Sequence, residues 1–301
     1  MTIKPTADWT KHPRNPLIGG DYGTCFDLAV LKDGDKIRMW FSWRPKKSIA
    51  LTESEDGVHW SEPVIVLEPN GDTGWEDDLN RPVVVKRDDG YHMWYTGQFK
   101  DPEGSCIGYA TSEDGVRWTR SGDRPVLAPE LAWEKVAVMC PHVMWDESLR
   151  LYRMWYSGGE QYEPNAIGYA TSADGIHWDK RPDNPIFAND PGNPWEQHKT
   201  TACQVVPYQD GFAMFYVGFH DEHFAQIGLA WSSDGIGDWT RHPGNPILSP
   251  DRGMWDEDAD YKPFALYDES SDRWLLWYNG RRAAVEQIGL AVKQGYDLGF
   301  E

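Results

Sequence analysis

Four carboxylates in this sequence could carry out acid–base chemistry: Asp27, Asp78, Glu196 and Asp260. One carboxyl group can protonate a leaving oxygen while a second activates water or attacks directly. Polar and basic side chains that could bind a substrate occur near these residues or in comparable segments: Arg44, Asp77, Arg81, Gln98, His142, His198, Lys199, Asp258, Lys262 and Arg281. The sequence therefore predicts one polar site, provided that the fold brings these segments together.

The segments that position these residues belong to one internal repeat. CIGYATSEDGVRW, which begins at Cys106, recurs as SIALTESEDGVHW, AIGYATSADGIHW and QIGLAWSSDGIGDW, and a shortened copy, QIGLAVKQGYDLGF, begins at Gln287. The tryptophans that close the four full copies are about 60 residues apart. Such a constant period indicates a repeat architecture rather than two unrelated domains.

Each repeat is predicted to form four antiparallel strands. An apolar strand such as HMWYTG, from His92, precedes each copy, and a further strand such as PVVVKRDDG, from Pro82, precedes that one. Asp-Gly pairs supply tight turns between neighbouring strands. Four antiparallel strands in about 60 residues are typical of a propeller blade. The prediction is an all-β, five-bladed β-propeller that forms a single domain over 1–301, with blades at roughly 18–67, 75–127, 133–187, 195–248, and 255–300 plus 7–17.

The N-terminal segment is predicted to close the last blade. WTKHPRNPL, from Trp9 to Leu17, matches WTRHPGNPI, from Trp239 to Ile247, almost position by position. The last repeat contains only three strands, so the N-terminal segment can supply its fourth. Pairing the first and last segments in one sheet removes an otherwise exposed edge.

Residues that recur in four of the five predicted blades are expected to be structural. The pairs Trp75-Glu76, Trp133-Glu134, Trp195-Glu196 and Trp255-Asp256 occupy the same place in four repeats. A feature repeated in this way favours a packing and hydrogen-bonding role over catalysis. The turn residues Asp56, Asp114, Asp174 and Asp234 are similarly expected to bond the local backbone.

Positions at which the repeat breaks are better site candidates. We align the innermost strands on Phe26, Pro82, Pro141, Cys203 and Pro263. Because strand side chains alternate, odd offsets from this anchor share a face. That face is predicted to carry Asp27, Asp77, Arg81, His142, His198, Asp258, Asp260 and Lys262, with the loop after the second strand adding Arg44, Gln98 and Arg281. Identities that change from blade to blade favour an asymmetric ligand over a purely structural role.

The repeats, the I-G-Y-A-T-S-x-D-G-x-x-W signature and the M-W-Y-T/S-G strand resemble the five-bladed propeller glycoside hydrolases of families 32, 43, 62, 68, 117 and 130. The resemblance covers nearly the whole chain, although the family 32 motifs W-M-N-D-P-N-G, R-D-P and E-C are absent. It implies that Asp27 is the base or nucleophile, that Asp260 or Glu196 is the acid, and that Asp78 or Asp77 modulates them. We therefore predict a glycosidase that acts on an oligosaccharide.

Two other functions use the same pocket. In a phosphate-dependent glycoside phosphorylase, Arg81, His142, Lys199 and Lys262 would bind phosphate. In a non-catalytic propeller, the carboxylates would only accept hydrogen bonds from a glycan or a protein partner. No cofactor is predicted, because no metal-ligand spacing appears. A single axial ion held by His142 and water is the alternative.

Composition excludes several classes of partner. The 301 residues carry a formal net charge of −19, which disfavours nucleic acids and anionic membranes. We find no apolar run long enough for a membrane span and no secretory signal, and the four cysteines lack C-x-x-C spacing. These features predict reduced thiols and a cytoplasmic protein.

Overall fold

A computed structural model describes residues 8–99, 103–160 and 164–300, and within these ranges the chain is all-β without an α-helix. The strands are β1 (Thr10–Lys11), β2 (Cys25–Asp33), β3 (Lys36–Trp43), β4 (Ser48–Ser54), β5 (Val64–Leu67), β6 (Asp78–Arg87), β7 (Gly90–Phe99), β8 (Gly104–Ser112), β9 (Thr119–Arg120), β10 (Ala137–Asp146), β11 (Leu151–Gly159), β12 (Pro164–Ser172), β13 (Asp179–Lys180), β14 (Phe187–Ala188), β15 (Lys199–Tyr208), β16 (Gly211–Phe219), β17 (Ala225–Ser232), β18 (Thr240–Arg241), β19 (Ala259–Asp268), β20 (Arg273–Arg282) and β21 (Val285–Gln294). Single turns of 3-10 helix cover Gly20–Tyr22, Arg44–Lys46, Gly71–Thr73 and Ala132–Glu134.

The strands of each sequence repeat pair with their neighbours in chain order. The antiparallel groups are β2-β3-β4-β5, β6-β7-β8-β9, β10-β11-β12 with β13 and β14, β15-β16-β17-β18, and β19-β20-β21. β1 completes the last group by pairing with β21, Thr10 opposite Val292 and Lys11 opposite Ala291. The N-terminal strand therefore lies in the same sheet as the C-terminal repeat.

A tryptophan in the second strand of a group repeatedly bonds the turn of the next group. The indole Nε1–H groups of Trp40, Trp94 and Trp155 donate to the carbonyls of Gly115, Gly175 and Gly235, at 3.0, 2.8 and 2.8 Å. Trp277 of the last group donates to Gly57 of the first group at 3.0 Å. The same contact thus joins successive groups and also joins the last to the first.

The repeated Trp-acid pairs bury carboxylates inside the groups. Glu76, Glu134, Glu196 and Asp256 are all 0% exposed. Each contacts a base from the outermost strand and accepts a hydrogen bond from a tyrosine of the second strand: Arg120 and Tyr95, Lys180 and Tyr156, Arg241 and Tyr216, and Lys11 and Tyr278. Four of the five groups therefore contain a buried ion pair that joins the outer strand to the rest of the group.

Every innermost strand contains an irregularity at the same place, and this corrects the sequence alignment. Asp27, Arg81, Cys140, Ala202 and Lys262 all have positive φ, between 39° and 55°, where the ladder with the second strand shifts. Leu28, not Phe26, is therefore equivalent to Pro82, so the predicted register of the first strand was wrong by two residues. Because an inserted residue reverses the alternation of side chains, faces on its two sides cannot be assigned by counting in twos.

The backbone at this irregularity is held by the preceding group. The N–H groups of Arg81, Cys140 and Ala202 donate to the hydroxyls of Ser42, Thr96 and Ser157, at 2.8, 3.2 and 2.8 Å. Asp27 N–H donates to Oδ1 of Asn279 at 3.1 Å. These contacts hold the backbone at a positive φ, a conformation that residues other than glycine rarely adopt. We call the five irregular residues the bulge ring.

Candidate active site

Four members of the bulge ring line one cavity of about 230 Å³. The cavity, called the axial pocket below, brings together five of the predicted site residues: Asp27, Arg44, Arg81, Lys199 and Arg281. Its wall also includes residues that the sequence analysis did not select: Cys140, Thr201, Phe219, Tyr261 and Glu286. The pocket thus combines two carboxylates with four cations and two aromatic rings.

Asp27 is the most enclosed carboxylate of the pocket, with only 3% of its surface exposed. Oδ2 lies 3.1 Å from Nε of Arg81, and Oδ1 accepts a hydrogen bond from Nδ2 of Asn279 at 3.1 Å. Because Asn279 also binds the Asp27 backbone, it fixes both ends of the residue. Asp27 is therefore a rigidly positioned carboxylate, as a base or nucleophile requires.

Glu286 is the second carboxylate of the axial pocket. It pairs with Nη2 of Arg44 at 2.8 Å and accepts a hydrogen bond from the hydroxyl of Tyr261. The sequence analysis missed Glu286 because it compared only innermost strands. The signal was present on the third strands, since the residue two positions before the repeated isoleucine is Lys47, Ser105, Asn165, Ala225 or Glu286.

Aromatic residues support the groups that contact these carboxylates. The Arg44 guanidinium lies 4.1 Å from the centre of the Phe26 ring, which is a cation–π geometry. Burial, reinforced by the nearby carboxylates of Glu286 and Asp27, raises the pKa of Tyr261 well above its ordinary value. Tyr261 therefore remains a neutral hydrogen-bond donor toward Glu286.

Asp78 lies at the edge of the same site. It occupies the strand position of Lys199 and Ala259, three residues before the bulge ring, and both of those residues line the pocket. Its Oδ1 accepts a 3.3 Å hydrogen bond from Asn80, whose own Oδ1 accepts one from Arg81 at 2.6 Å. Burial raises the pKa of Asp78, although Asn80 and nearby arginines act in the opposite direction. Burial therefore favours the protonated form of Asp78.

The remaining predicted binding residues are distributed around this centre. Gln98 accepts a 2.8 Å hydrogen bond from Asn80. Burial lowers the pKa of Lys199 to about 8, and its Nζ lies 4.3 Å from the Phe219 ring centre. Arg281 borders both the axial pocket and a wider cleft of about 850 Å³ that Asp258 also lines. Lys199 and Arg281 therefore line the axial pocket, Asp258 lines the cleft that shares Arg281 with it, and Gln98 contacts the Asn80 that binds Arg81.

Two predicted acids are outside the pocket, so the structure corrects their assignment. Glu196 forms the repeated internal ion pair with Arg241. Asp260 is 0% exposed and lies 2.8 Å from Nζ of Lys11. It lies two residues before the bulge ring, at the strand position that Cys25, Leu79, Val138 and Thr200 occupy in the other groups. Those positions face the interior of a group because the bulge reverses the face. Neither carboxylate lines the axial pocket.

Six predicted binding residues do not line the pocket: Asp77, Gln98, His142, His198, Asp258 and Lys262. Asp77 is half-buried and His198 is exposed. His142 is buried, with Nε2 bonded to the carbonyl of Val205 at 2.8 Å, and desolvation lowers its pKa to about 4. His142 therefore acts as a neutral link between adjacent innermost strands.

Lys262 is the fifth member of the bulge ring and is 4% exposed. Its positive charge lowers the pKa of the neighbouring Cys140 thiol, against the larger raising effect of burial. Lys262 does not line the pocket. The other four members of the bulge ring, which occupy the equivalent position in their strands, do line it. Lys262 therefore lies next to the base of the axial pocket.

The described residues contain no cluster of three or more His, Cys, Asp or Glu side chains that could hold a metal ion. All four cysteines are buried free thiols. In the described part of the chain, no helix has the length and apolar character needed to cross a membrane.

The sequence of this chain is similar to a known protein family and to several individual proteins. The model of the glycosyl hydrolases family 32 N-terminal domain matches residues 39–196. An uncharacterized protein of Mycobacterium tuberculosis is 26% identical over 279 residues, covering 86% of this chain and 89% of that protein. The vacuolar acid beta-fructofuranosidase 4 of Arabidopsis thaliana is 30% identical over 186 residues, covering 54% of this chain but 27% of its own length.

Solved structures share the fold at low sequence identity. A glycoside hydrolase matches with a TM-score of 0.75 and 19% identity, covering 94% of this chain and 90% of the other. The beta-1,2-mannobiose phosphorylase of Listeria innocua matches with a TM-score of 0.72 and 15% identity, covering 95% and 97% of the two chains. The all-β architecture described above is therefore that of the propeller glycoside hydrolases.

Proposed function

Since the chain belongs to the glycosyl hydrolases family 32 N-terminal domain family, within the propeller glycoside hydrolase superfamily, we propose that it is a glycosidase acting on an oligosaccharide. The convergence of Asp27, Glu286 and Asp78 around the axial pocket carries this proposal. Glycoside hydrolysis requires a carboxyl group that protonates the leaving oxygen and a carboxylate on the other side of the bond. The axial pocket and its edge offer both.

The proposed architecture of the enzyme is a closed five-bladed propeller. Each antiparallel group would be one blade, with β1 as the outer strand of the last. The contact between Trp277 and Gly57 supports closure because it repeats the contact between successive groups. In this arrangement the bulge ring surrounds the propeller axis, and one asymmetric pocket opens at the end of that axis.

We propose a cytoplasmic location as well.

Asp27 is the proposed base or nucleophile. Its Oδ1 and Oδ2 are oriented by Asn279 and Arg81, so the carboxylate approaches a bound sugar from one fixed direction. Fixing the reacting group before the substrate arrives removes much of the entropic cost of the reaction. Arg81 would also stabilise negative charge on Asp27 when a proton or sugar leaves it.

Asp78 is the proposed general acid. A general acid must carry its proton at the working pH, and burial favours this state by raising the pKa of Asp78. Glu286, by contrast, already accepts hydrogen bonds from Arg44 and Tyr261. We therefore assign to Glu286 the binding of sugar hydroxyls and to Asp78 the protonation of the leaving oxygen.

A phosphorylase is the second candidate, supported by the cations Lys199 and Arg281 in the pocket and by the fold shared with the Listeria innocua enzyme. The test is to incubate the purified protein with a panel of oligosaccharides and aryl glycosides, with and without inorganic phosphate. Reducing sugar released without phosphate supports the glycosidase. Strictly phosphate-dependent release of sugar phosphate supports the phosphorylase. Glycan binding without turnover in either condition contradicts both and indicates a non-catalytic propeller.

A further inference from the structure

We infer that the axial pocket selects a sugar bearing a carboxylate, with Lys262 and Arg281 forming its acid-binding subsite. This inference rests on the proposed glycan-active function and adds the substrate class. It starts from the positive charge around the pocket in a chain whose net charge is −19. The cations at or beside the pocket are Arg44, Arg81, Lys199, Lys262 and Arg281.

Two of these cations are already matched by carboxylates. Arg44 pairs with Glu286, and Arg81 pairs with Asp27. Lys262 and Arg281, in contrast, take part in no ion pair within 4.0 Å with any carboxylate of the described residues. Among the described residues, the Arg281 side chain donates a hydrogen bond to the carbonyl of His223 and to no other group. The pocket and its base therefore carry positive charge that the described residues leave unmatched.

Lys262 is the more informative of the two because it is 96% removed from solvent. Burying an ammonium group without an anion costs several kcal/mol. Its neighbours at the base of the pocket include the thiol of Cys140 and the neutral imidazole of His142, and neither supplies negative charge. Asp27 is the only carboxylate in the bulge ring, and its ion pair is with Arg81 rather than with Lys262. A ligand anion is the missing partner.

A sugar carboxylate fits this subsite better than a phosphate dianion. Asp27 and Glu286 border the same pocket, so a second negative charge on the ligand would be repelled by both. A single carboxylate needs only one ammonium or guanidinium partner to be compensated, and a guanidinium can bind it with two parallel hydrogen bonds. The negative net charge of the chain does not attract acidic glycans from a distance, so the unmatched cations must provide the preference locally.

Titration calorimetry tests this inference without requiring turnover. The probes are D-glucuronate and D-galacturonate, each compared with its neutral parent sugar, and inorganic phosphate. We expect the wild-type protein to bind at least one sugar acid about tenfold or more tightly than its parent. Lys262→Met should abolish that preference. Lys36→Met, which removes an exposed lysine paired with Glu53 on another surface, should preserve it.

Thermal unfolding shows whether Lys262→Met is folded. Because the substitution removes a buried unpaired charge, the melting temperature should stay the same or rise. If this variant does not fold, Arg281→Gln replaces it, and the sugar-acid preference should fall in the same direction. Equal binding of acid and neutral sugars, tighter binding of phosphate than of either acid, or a preference that survives the substitution would overturn the inference. Turnover of neutral glycosides alone would overturn it while leaving the glycosidase intact, whereas specific sugar-acid binding without turnover of any glycoside would contradict only the glycosidase.

Discussion

Nε of Arg81 lies 3.1 Å from Oδ2 of Asp27, although the two residues occupy the same position in successive repeats. One repeated backbone irregularity therefore presents a carboxylate in the first group and its partner cation in the second. The irregularity turns both side chains toward the axial pocket. The asymmetry of the axial pocket arises from changing the residue type at a position whose backbone is kept constant.

The roles of Asp78 and Glu286 can be separated with leaving groups of different acidity. We expect Asp78→Asn to reduce turnover of a poor leaving group by about a hundredfold, because the leaving oxygen no longer receives a proton. A 2,4-dinitrophenyl leaving group needs no such proton, so its release should be nearly normal. Glu286→Gln should weaken the binding of both substrates to a similar extent. The reverse pattern would move the acid to Glu286.

The pH profile provides an independent check on Asp78. A general acid works while protonated, so activity should fall as pH rises through the pKa of Asp78, which burial raises above its ordinary value. In the Asp78→Asn variant, kcat/KM for the substrate with the poor leaving group should no longer show this fall, the high-pH limb of the profile. An unchanged limb in the variant would show that another group supplies the proton.

Glu196 should behave like its repeat equivalents rather than like a catalyst. Glu196→Gln and the matched Glu76→Gln should each lower the free energy of unfolding by about 1–3 kcal/mol, because each weakens a buried charge-assisted contact with arginine. Denaturant unfolding measures the loss, and activity per folded molecule should change little in either variant. A selective loss of activity in Glu196→Gln, with Glu76→Gln normal, would restore Glu196 as the acid.

Lys11 should be one of the most sensitive positions in the N-terminal strand. Its Nζ lies 2.6 Å from Asp256 and 2.8 Å from Asp260, so Lys11→Met leaves the buried Asp256 carboxylate without its cation and removes the contact with Asp260. Breaking a buried pair in this way costs about 3–5 kcal/mol. Lys32→Met, at an exposed lysine, is the control and should have a small effect. A melting temperature equal to that of the control would contradict the role of Lys11 in fastening the last group.

Asp260 should make stability depend on pH without affecting catalysis. Burial raises its folded-state pKa well above the ordinary value of 3.8. The stability from its protonated form is therefore complete at low pH and is lost as pH rises through the folded pKa. Asp260→Asn should consequently gain stability relative to wild type as pH increases, with turnover retained. A loss of turnover in folded Asp260→Asn would show that Asp260 has a catalytic role.

The repeat predicted the strands, their turns and the segments that form the site, because each of these follows from local spacing. Asp27 and Arg81 were selected because their identities break the repeat. The bulge could not be predicted from residue types, since its five members include acidic, basic, thiol and methyl side chains. Asp260 was consequently assigned to the wrong face. Glu286 was missed because its strand was not compared across blades, although its acidic identity is unique at that position.

Turnover by Asp27→Asn is the most direct test of the account. The substitution preserves the shape of the side chain and removes its charge. On the best substrate found in the glycoside panel, the variant should lose at least about a hundredfold in kcat while remaining folded and still binding sugar. Asp260→Asn, measured in parallel, should retain near wild-type kcat. Near-normal turnover by folded Asp27→Asn would contradict the central claim that Asp27 is the catalytic base or nucleophile of the axial pocket.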